Sequence, residues 1–288
     1  MKIAGAPISW GVCEVPGWGH QLGSEVVLPQ MRALGLQATE LGPQGWLPTA
    51  PAERAAALAE HSLQAVGAFV PVVLHSEVDP RPALEVELDA FDAAGGDVLV
   101  LAAATGQDGY DERPQLTPRQ WQHLLDNAQR VADLARERGI TPALHPHVGT
   151  QVENREEVLR VLAGTDLGLC LDTGHLLVGG TDPVELVVQQ PERISHVHAK
   201  DVRIELARRV GAGELGYTEA VKQGLYAPLG EGDVDLAAIV SALTAVGYDG
   251  WWVLEQDVVL TGPPQGEGPQ ADVRASMEHL RGLAGQQG

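Results

Sequence analysis

The residues with most chemical capacity come in short, regularly spaced groups. His145 and His147 are separated by one residue, as are His196 and His198, and Lys200 and Asp201 follow the second pair. Asp172 precedes Thr173-Gly174-His175, while Glu255 closes the apolar run Trp252-Val253-Leu254 and Asp257 lies two positions on. Residues two apart on a strand face the same side. Each His-x-His pair therefore presents two imidazoles to one place if its segment is extended. Imidazoles and carboxylates gathered at one spot suit a divalent cation. The carboxylates need a counter-charge and the ring nitrogens need a lone-pair acceptor; buried without either, each group costs several kcal/mol. Mn²⁺, Co²⁺, Fe²⁺ and Zn²⁺ all accept such donors. The set contains no thiolate, which argues against a structural zinc site, and mixed Asp/Glu/His ligation with room for substrate is the catalytic pattern. Plainer readings exist for each member. Asp172 suits a helix N-cap, Glu40 could pair with an arginine, and one histidine of each pair could be hydrogen-bonded packing.

Short apolar runs alternate with longer amphipathic ones along the whole chain. Strands are expected at Ile3 to Trp10, Gln37 to Leu41, Ala65 to Leu74, Asp97 to Ala103, Ile140 to His147, Leu167 to Asp172, Ile194 to Asp201 and Gly250 to Glu255. The fourth is almost continuously apolar, as a strand buried on both faces should be. Helices between them carry recognisable ends, such as Thr117-Pro118 at a start and Gly139 at a stop. Roughly thirty residues between Ile204 and Asp233 form an unusually long connection, which suggests a functional cover over the site. Strand–helix units without a linker imply a parallel sheet, and eight of them imply a closed (β/α)8 TIM barrel formed by residues 1–288 as one domain. An open doubly wound sheet is less suitable, because Trp10-Gly11-Val12 is not a phosphate-binding turn.

A barrel site lies at the C-terminal strand ends. Glu40, His75, His145 and His147, Asp172, the 196–201 group, and Glu255 with Asp257 fall at the ends of six of the eight strands. Composition narrows the partners. The chain has 39 acidic and 19 basic residues, a formal net charge of −20, which repels polyphosphate and argues against nucleic acid. Cys13 and Cys170 suggest neither a disulfide framework nor a metal pair, in keeping with a reducing cytoplasm. No apolar run is long enough for a membrane span and no signal-peptide pattern opens the chain. A small-molecule partner remains open, and the residues neither require nor oppose a homo-oligomer.

The chain resembles the xylose isomerase-like sugar isomerase/epimerase barrels. The matching stretches are Leu-Asp-Thr-Gly-His (171–175), Ser-His-Val-His-Ala-Lys-Asp-Val-Arg (195–203) and Gly-Tyr-Asp-Gly-Trp-Trp-Val-Leu-Glu (247–255). Within that superfamily it is most similar to the inosose dehydratases, through Ala-Pro-Ile-Ser-Trp-Gly (6–11), Thr-Glu-Leu-Gly (39–42), His-Pro-His-Val-Gly-Thr (145–150) and Gly-Leu-Tyr-Ala-Pro-Leu-Gly-Glu-Gly-Asp-Val-Asp (224–235). The resemblance implies a metal-dependent lyase of inositol catabolism that dehydrates 2-keto-myo-inositol through an enediolate, with a ketose isomerase or epimerase as the alternative. It implies Asp172, His198 and Glu255 as metal ligands. Many relatives have a glutamate where this chain has His145, so Glu153 is the expected fourth ligand, with His145 or His147 as rival. The loss of that glutamate weakens the epimerase reading. Mn²⁺ or Co²⁺ is the implied ion, with Zn²⁺, Fe²⁺ or Mg²⁺ as alternatives; glutathione is implied by the resemblance alone. His147, His175 and Glu40 are candidates for catalytic base and acid, without an assignment between them. Lys200 and Arg203 are candidates for holding substrate oxygens, and His145 and Trp10 for lining the substrate. Trp18 and Trp46, in strand-to-helix loops, are expected near the mouth.

Overall fold

A computed structural model describes residues 1–285; the last three residues of the expected domain lie outside it. The strands are β1 (Lys2–Gly5), β2 (Ala38–Thr39), β3 (Gln64–Ala65), β4 (Gly67–Val72), β5 (Val98–Ala103), β6 (Thr141–Leu144), β7 (Gly168–Asp172), β8 (Ile194–Ala199), β9 (Asp201–Val202), β10 (Tyr226–Ala227) and β11 (Trp251–Leu254). Nine of them form one parallel sheet in the order β3-β2-β1-β11-β8-β7-β6-β5-β4. β3 and β4 are one strand interrupted at Val66: β3 pairs with β2, and β4 pairs with β5. The two ends of the sheet are thus consecutive pieces of chain, and the ring closes as a (β/α)8 barrel.

The helices are α1 (Ser24–Ala33), α2 (Pro51–Glu60), α3 (Arg81–Ala94), α4 (Pro118–Glu137), α5 (Arg155–Gly164), α6 (Thr173–Val178), α7 (Pro183–Gln189), α8 (Ile204–Gly211), α9 (Tyr217–Lys222), α10 (Leu236–Ala245) and α11 (Pro269–Gly285). Their starts follow side-chain chemistry. Thr117 and Gln120 form a reciprocal capping box at α4, as Asn154 and Glu157 do at α5, which satisfies backbone N–H groups that the first turn leaves open. The main apolar core lies between helices and barrel wall, with Leu99, Leu101, Leu124, Val131, Leu144, Val161 and Leu171 among its fully buried members.

The barrel interior is filled differently. Ala4, Ala6, Ala38, Val66 and Val253 form one small cluster, and Val98, Val100, Ala143 and Cys170 form another. Two positions beyond Ala38, Ala143, Cys170, His196 and Val253 come Glu40, His145, Asp172, His198 and Glu255. The strand period of two puts the polar residues on the same inward face as the small filling residues, one layer nearer the C-terminal mouth.

Several expected extents are corrected. The first strand ends at Gly5, because Pro7–Trp10 is a 3-10 turn. The segment expected as a long loop contains α8, α9 and β10, and β10 pairs antiparallel with β9 just before it. Among the described residues no helix is long and apolar enough to cross a membrane.

Candidate functional site

Asp172 ends β7 and begins α6. Its Oδ1 accepts hydrogen bonds from the backbone N–H of Gly174 at 2.9 Å and of His175 at 2.7 Å. This cap fixes the carboxylate and leaves Oδ2 facing the barrel axis. The plain reading of Asp172 as an N-cap and its reading as a site residue therefore hold together, one oxygen each. The inward period of β6, β8 and β11 brings three more donors to that oxygen. His145 Nε2 lies 3.3 Å from Asp172 Oδ2 and 3.1 Å from His198 Nδ1, and His198 Nδ1 lies 2.8 Å from Glu255 Oε2. His145, Asp172, His198 and Glu255 each offer one ligand atom, all within 4.8 Å of one another.

The protonation of His198 bears on what this group can hold. Its Nε2 lies 2.9 Å from Glu40 Oε1, so Nε2–H donates to that carboxylate. In the neutral ring Nδ1 then carries a lone pair. A lone pair 2.8 Å from a carboxylate oxygen, with a second imidazole nitrogen at 3.1 Å, requires a positive charge between them: a proton or a metal ion. Burial opposes charge on His198, but Cys170, Glu255 and Glu40 around it outweigh burial and raise its pKa well above the ordinary histidine value. Glu255 Oε2 and His145 Nδ1 are buried without a hydrogen-bond partner of good geometry. The donor set fits a divalent ion.

Glu40 stands behind the cluster. Burial pushes its pKa up, but His198 and the hydrogen bonds from His196 and His198 prevail and hold it below the usual carboxylate range. His196 Nε2 lies 2.9 Å from the same Oε1. A carboxylate that takes the far proton of a ligating imidazole orients the ring and raises its basicity.

Next to the four donors lies a second polar group. Lys200 is 1% exposed, yet stays charged: burial works against it, and Asp172, Asp257 and Glu255 together raise its pKa well above the ordinary value. Its stem packs over Gly174, where a Cβ would lie 2.6 Å from Lys200 Cγ, which accounts for the glycine in Thr-Gly-His. His147 and His175 stack with ring centroids 3.8 Å apart. His147 Nδ1 lies 2.7 Å from the Val148 carbonyl and so carries the proton, leaving Nε2 as a lone pair. The Val148 N–H donates to His175 Nδ1 at 3.3 Å, so the His175 proton sits on Nε2, 3.5 Å from Asp257 Oδ2. Burial, then His175 and His145, hold the His147 pKa well below the ordinary histidine value.

These groups open on a cavity of about 710 Å³ at the mouth, lined by Glu40, His145, His147, Lys200, Glu255 and Asp257 on its polar side and by Phe69, Trp18 and Tyr110 among others. His175 lies behind His147, outside the lining. Four expectations are corrected by position. Glu153 does not join the donors: its Oε2 accepts from the Gly149 N–H at 2.8 Å and lies 3.2 Å from Arg113 Nε, because the turn after His147 aims it outward. Trp10 is carried by the 3-10 turn into the main core, where Nε1 donates to Gln30 Oε1 at 2.7 Å. Arg203 is exposed and donates to the Gly224 carbonyl, away from the cavity. Trp46 packs on the core and donates to the Leu22 carbonyl at 2.9 Å, whereas Trp18 does line the mouth.

Tyr217 and Tyr226, which the sequence reading passed over, belong to the covering segment. Tyr217 OH donates to Asp257 Oδ2 at 2.7 Å and lies 3.2 Å from Tyr226 OH. Asp257 had a detectable signal, the same-face spacing from Glu255. Tyr217 had none, since its helix reaches the site only through tertiary packing, and Tyr226 had only its place in the 224–235 stretch.

Comparison with known proteins agrees with this architecture. The family model "Xylose isomerase-like TIM barrel" matches residues 28–283. The inosose dehydratase of Geobacillus thermodenitrificans is 31% identical over 277 residues, covering 91% of this chain and 92% of that protein. The rhizopine catabolism protein MocC of Rhizobium meliloti is 34% identical over 271 residues, covering 89% and 82% respectively. The crystal structure of the IOLI protein with a bound zinc atom superposes with a TM-score of 0.70 over 100% of this chain and 99% of that one, at 15% identity, a likeness of fold. The chain belongs to the xylose isomerase-like TIM barrel family.

Proposed function

We propose that this protein is a divalent-metal-dependent lyase that removes water from a cyclic polyol ketone of the inosose type, in inositol catabolism. The observation that carries the reading is the convergence of His145, Asp172, His198 and Glu255, of which His145 and Glu255 line the same cavity as His147 and Lys200. Inosose dehydratases about 30% identical over nine tenths of the chain support the substrate class. The four donors would hold the ion, with Mn²⁺ or Co²⁺ preferred, and Glu40 would hold His198 in register. When bound, the ion supplies Lewis-acid polarisation of the ketone and makes its α-proton more acidic.

The remaining chemistry belongs to the side chains. His147 Nε2 is a lone pair on the cavity wall, and the Val148 carbonyl fixes the proton on the other nitrogen. It is the base for the α-proton. As the α C–H bond breaks, its electrons form the C=C bond and the β C–O bond breaks. The proton carried by His147 passes to the departing hydroxyl, which leaves as water, so one group on one face serves as base and then acid. His175 positions His147 by stacking. Lys200 holds a substrate oxygen on which negative charge develops. An epimerase would need proton donors and acceptors on both faces of one carbon; His147 as the base serves one face.

The test supplies metal-stripped protein with Mn²⁺ or Co²⁺ and 2-keto-myo-inositol and follows the ultraviolet absorbance of a dione. Absorbance should grow with metal and vanish in Glu255→Gln. Turnover of a ketohexose panel with an inert inosose would replace the dehydratase reading by an isomerase or epimerase.

A further inference from the structure

Lys200 is a buried ammonium among three carboxylates. Nζ lies 2.8 Å from Asp257 Oδ1, 3.1 Å from Glu255 Oε2 and 3.3 Å from Asp172 Oδ2. The last two residues belong to the four-donor group, so an internal cation rests on oxygens that a divalent ion would need. Like charges this close repel strongly in a buried site. Asp257 is outside that group, and its two oxygens are divided: Oδ1 takes the ammonium, while Oδ2 accepts from Tyr217 OH at 2.7 Å. The ammonium also lies 4.8 Å from the centre of the Tyr226 ring, a face that attracts cations. The Asp257 contact is the shortest of the three, and with the Tyr226 ring it gives the ammonium partners outside the four-donor group.

We propose that Lys200 competes with the metal ion for Asp172 and Glu255, and that Asp257, held by Tyr217, draws the ammonium aside, so that these three residues set the affinity of the metal site. The inference rests on the metal centre of the proposed function and is independent of the substrate. Removing the lysine charge frees two carboxylate ligands and tightens the ion. Removing the Asp257 charge leaves the ammonium with only the ligand carboxylates and loosens the ion. Once the lysine charge is gone, Asp257 has nothing to draw aside and its loss should matter little.

The experiment titrates metal-stripped protein with Mn²⁺ and with Co²⁺ alone, without substrate, and measures Kd by calorimetry. Lys200→Met should bind roughly tenfold tighter or more. Asp257→Asn should bind roughly 10–100-fold weaker, the range for residues that orient a metal site. Tyr217→Phe, which loses one hydroxyl and guards against failure of the charge variants to fold, should move in the direction of Asp257→Asn by a smaller factor. The double variant should match Lys200→Met. Weaker binding by Lys200→Met, or an undiminished Asp257→Asn effect in the Lys200→Met background, would overturn the competition. A wild-type protein that takes up neither ion would overturn the metal centre as well.

Discussion

Glu40 accepts the Nε2 proton of His198 across 2.9 Å, from a strand three places away around the barrel. The same oxygen lies 2.9 Å from His196 Nε2, so one carboxylate sets two imidazoles. Glu40→Gln keeps the shape and removes the charge. The expected result is a metal affinity lower by roughly 10–100-fold, measured by equilibrium dialysis with Co²⁺. Unchanged affinity would mean that Glu40 acts on substrate and not through His198.

The fourth ligand can be decided by two substitutions. His145→Ala removes a donor that lies 3.3 Å from Asp172 Oδ2, and ion affinity should fall by roughly tenfold or more. Glu153→Gln alters a carboxylate engaged by Arg113 and the Gly149 N–H, and affinity should stay within experimental error. The opposite pattern in the same dialysis assay would restore Glu153 as the ligand.

Asp201 anchors the segment that follows the covering helices. Its carboxylate accepts from the N–H groups of Val202 (2.9 Å), Gly230 (2.8 Å), Gly232 (3.0 Å) and Val234 (3.0 Å). Asp201→Ala leaves these donors without their acceptor and should lower stability by about 3 kcal/mol or more. Urea unfolding would read this loss, and a change under 1 kcal/mol would show that water replaces the carboxylate at about equal strength.

His147 and Asp172 make stability fall toward acid, whereas His198 makes it fall toward alkali. The folded pKa of His147 is depressed, so the unfolded chain takes the proton first and stability falls as pH drops below about 6.5. Asp172 is also depressed, since Lys200 and His175 outweigh the upward push of burial; its contribution is present above about pH 4 and is lost at lower pH. His198 is raised, so in metal-free protein its contribution is complete below about pH 6.5 and is lost as pH rises through its folded value. Thermal melts of metal-free wild type and His147→Gln from pH 5 to 7 isolate the first effect. The wild type should lose more stability toward acid than the variant, and equal slopes would mean that His147 is not held neutral by its burial.

Much of the barrel was legible because its elements repeat. A parallel strand buried on both faces reads as an apolar run, as Val98–Ala103 does, and caps such as Thr117 and Asn154 mark helix starts by local chemistry. The inward face was also legible, since a period of two carries Ala143 to His145, Cys170 to Asp172 and Val253 to Glu255 without information from elsewhere in the chain. Where that period stops, local sequence loses its hold. Pro7–Trp10 turns tightly instead of extending, and Trp10 enters the core instead of the mouth. Beyond β6 the backbone turns at Gly149, whose φ of +80° and close approach to the Tyr110 carbonyl depend on another loop, and this turn aims Glu153 at Arg113.

What the sequence by itself determined was the order of strands, the face each presents, and the concentration of ionisable residues at one rim. All three follow from backbone geometry, which acts over neighbouring residues. Only the tertiary structure decided that His145 stands with Asp172, His198 and Glu255 while Glu153 does not, that Glu40 lies behind His198, and that Tyr217 and Tyr226 reach Asp257 and Lys200. Those relations join residues tens to hundreds of positions apart. They depend on how closed strands and packed loops place side chains within hydrogen-bonding distance, which no local period encodes.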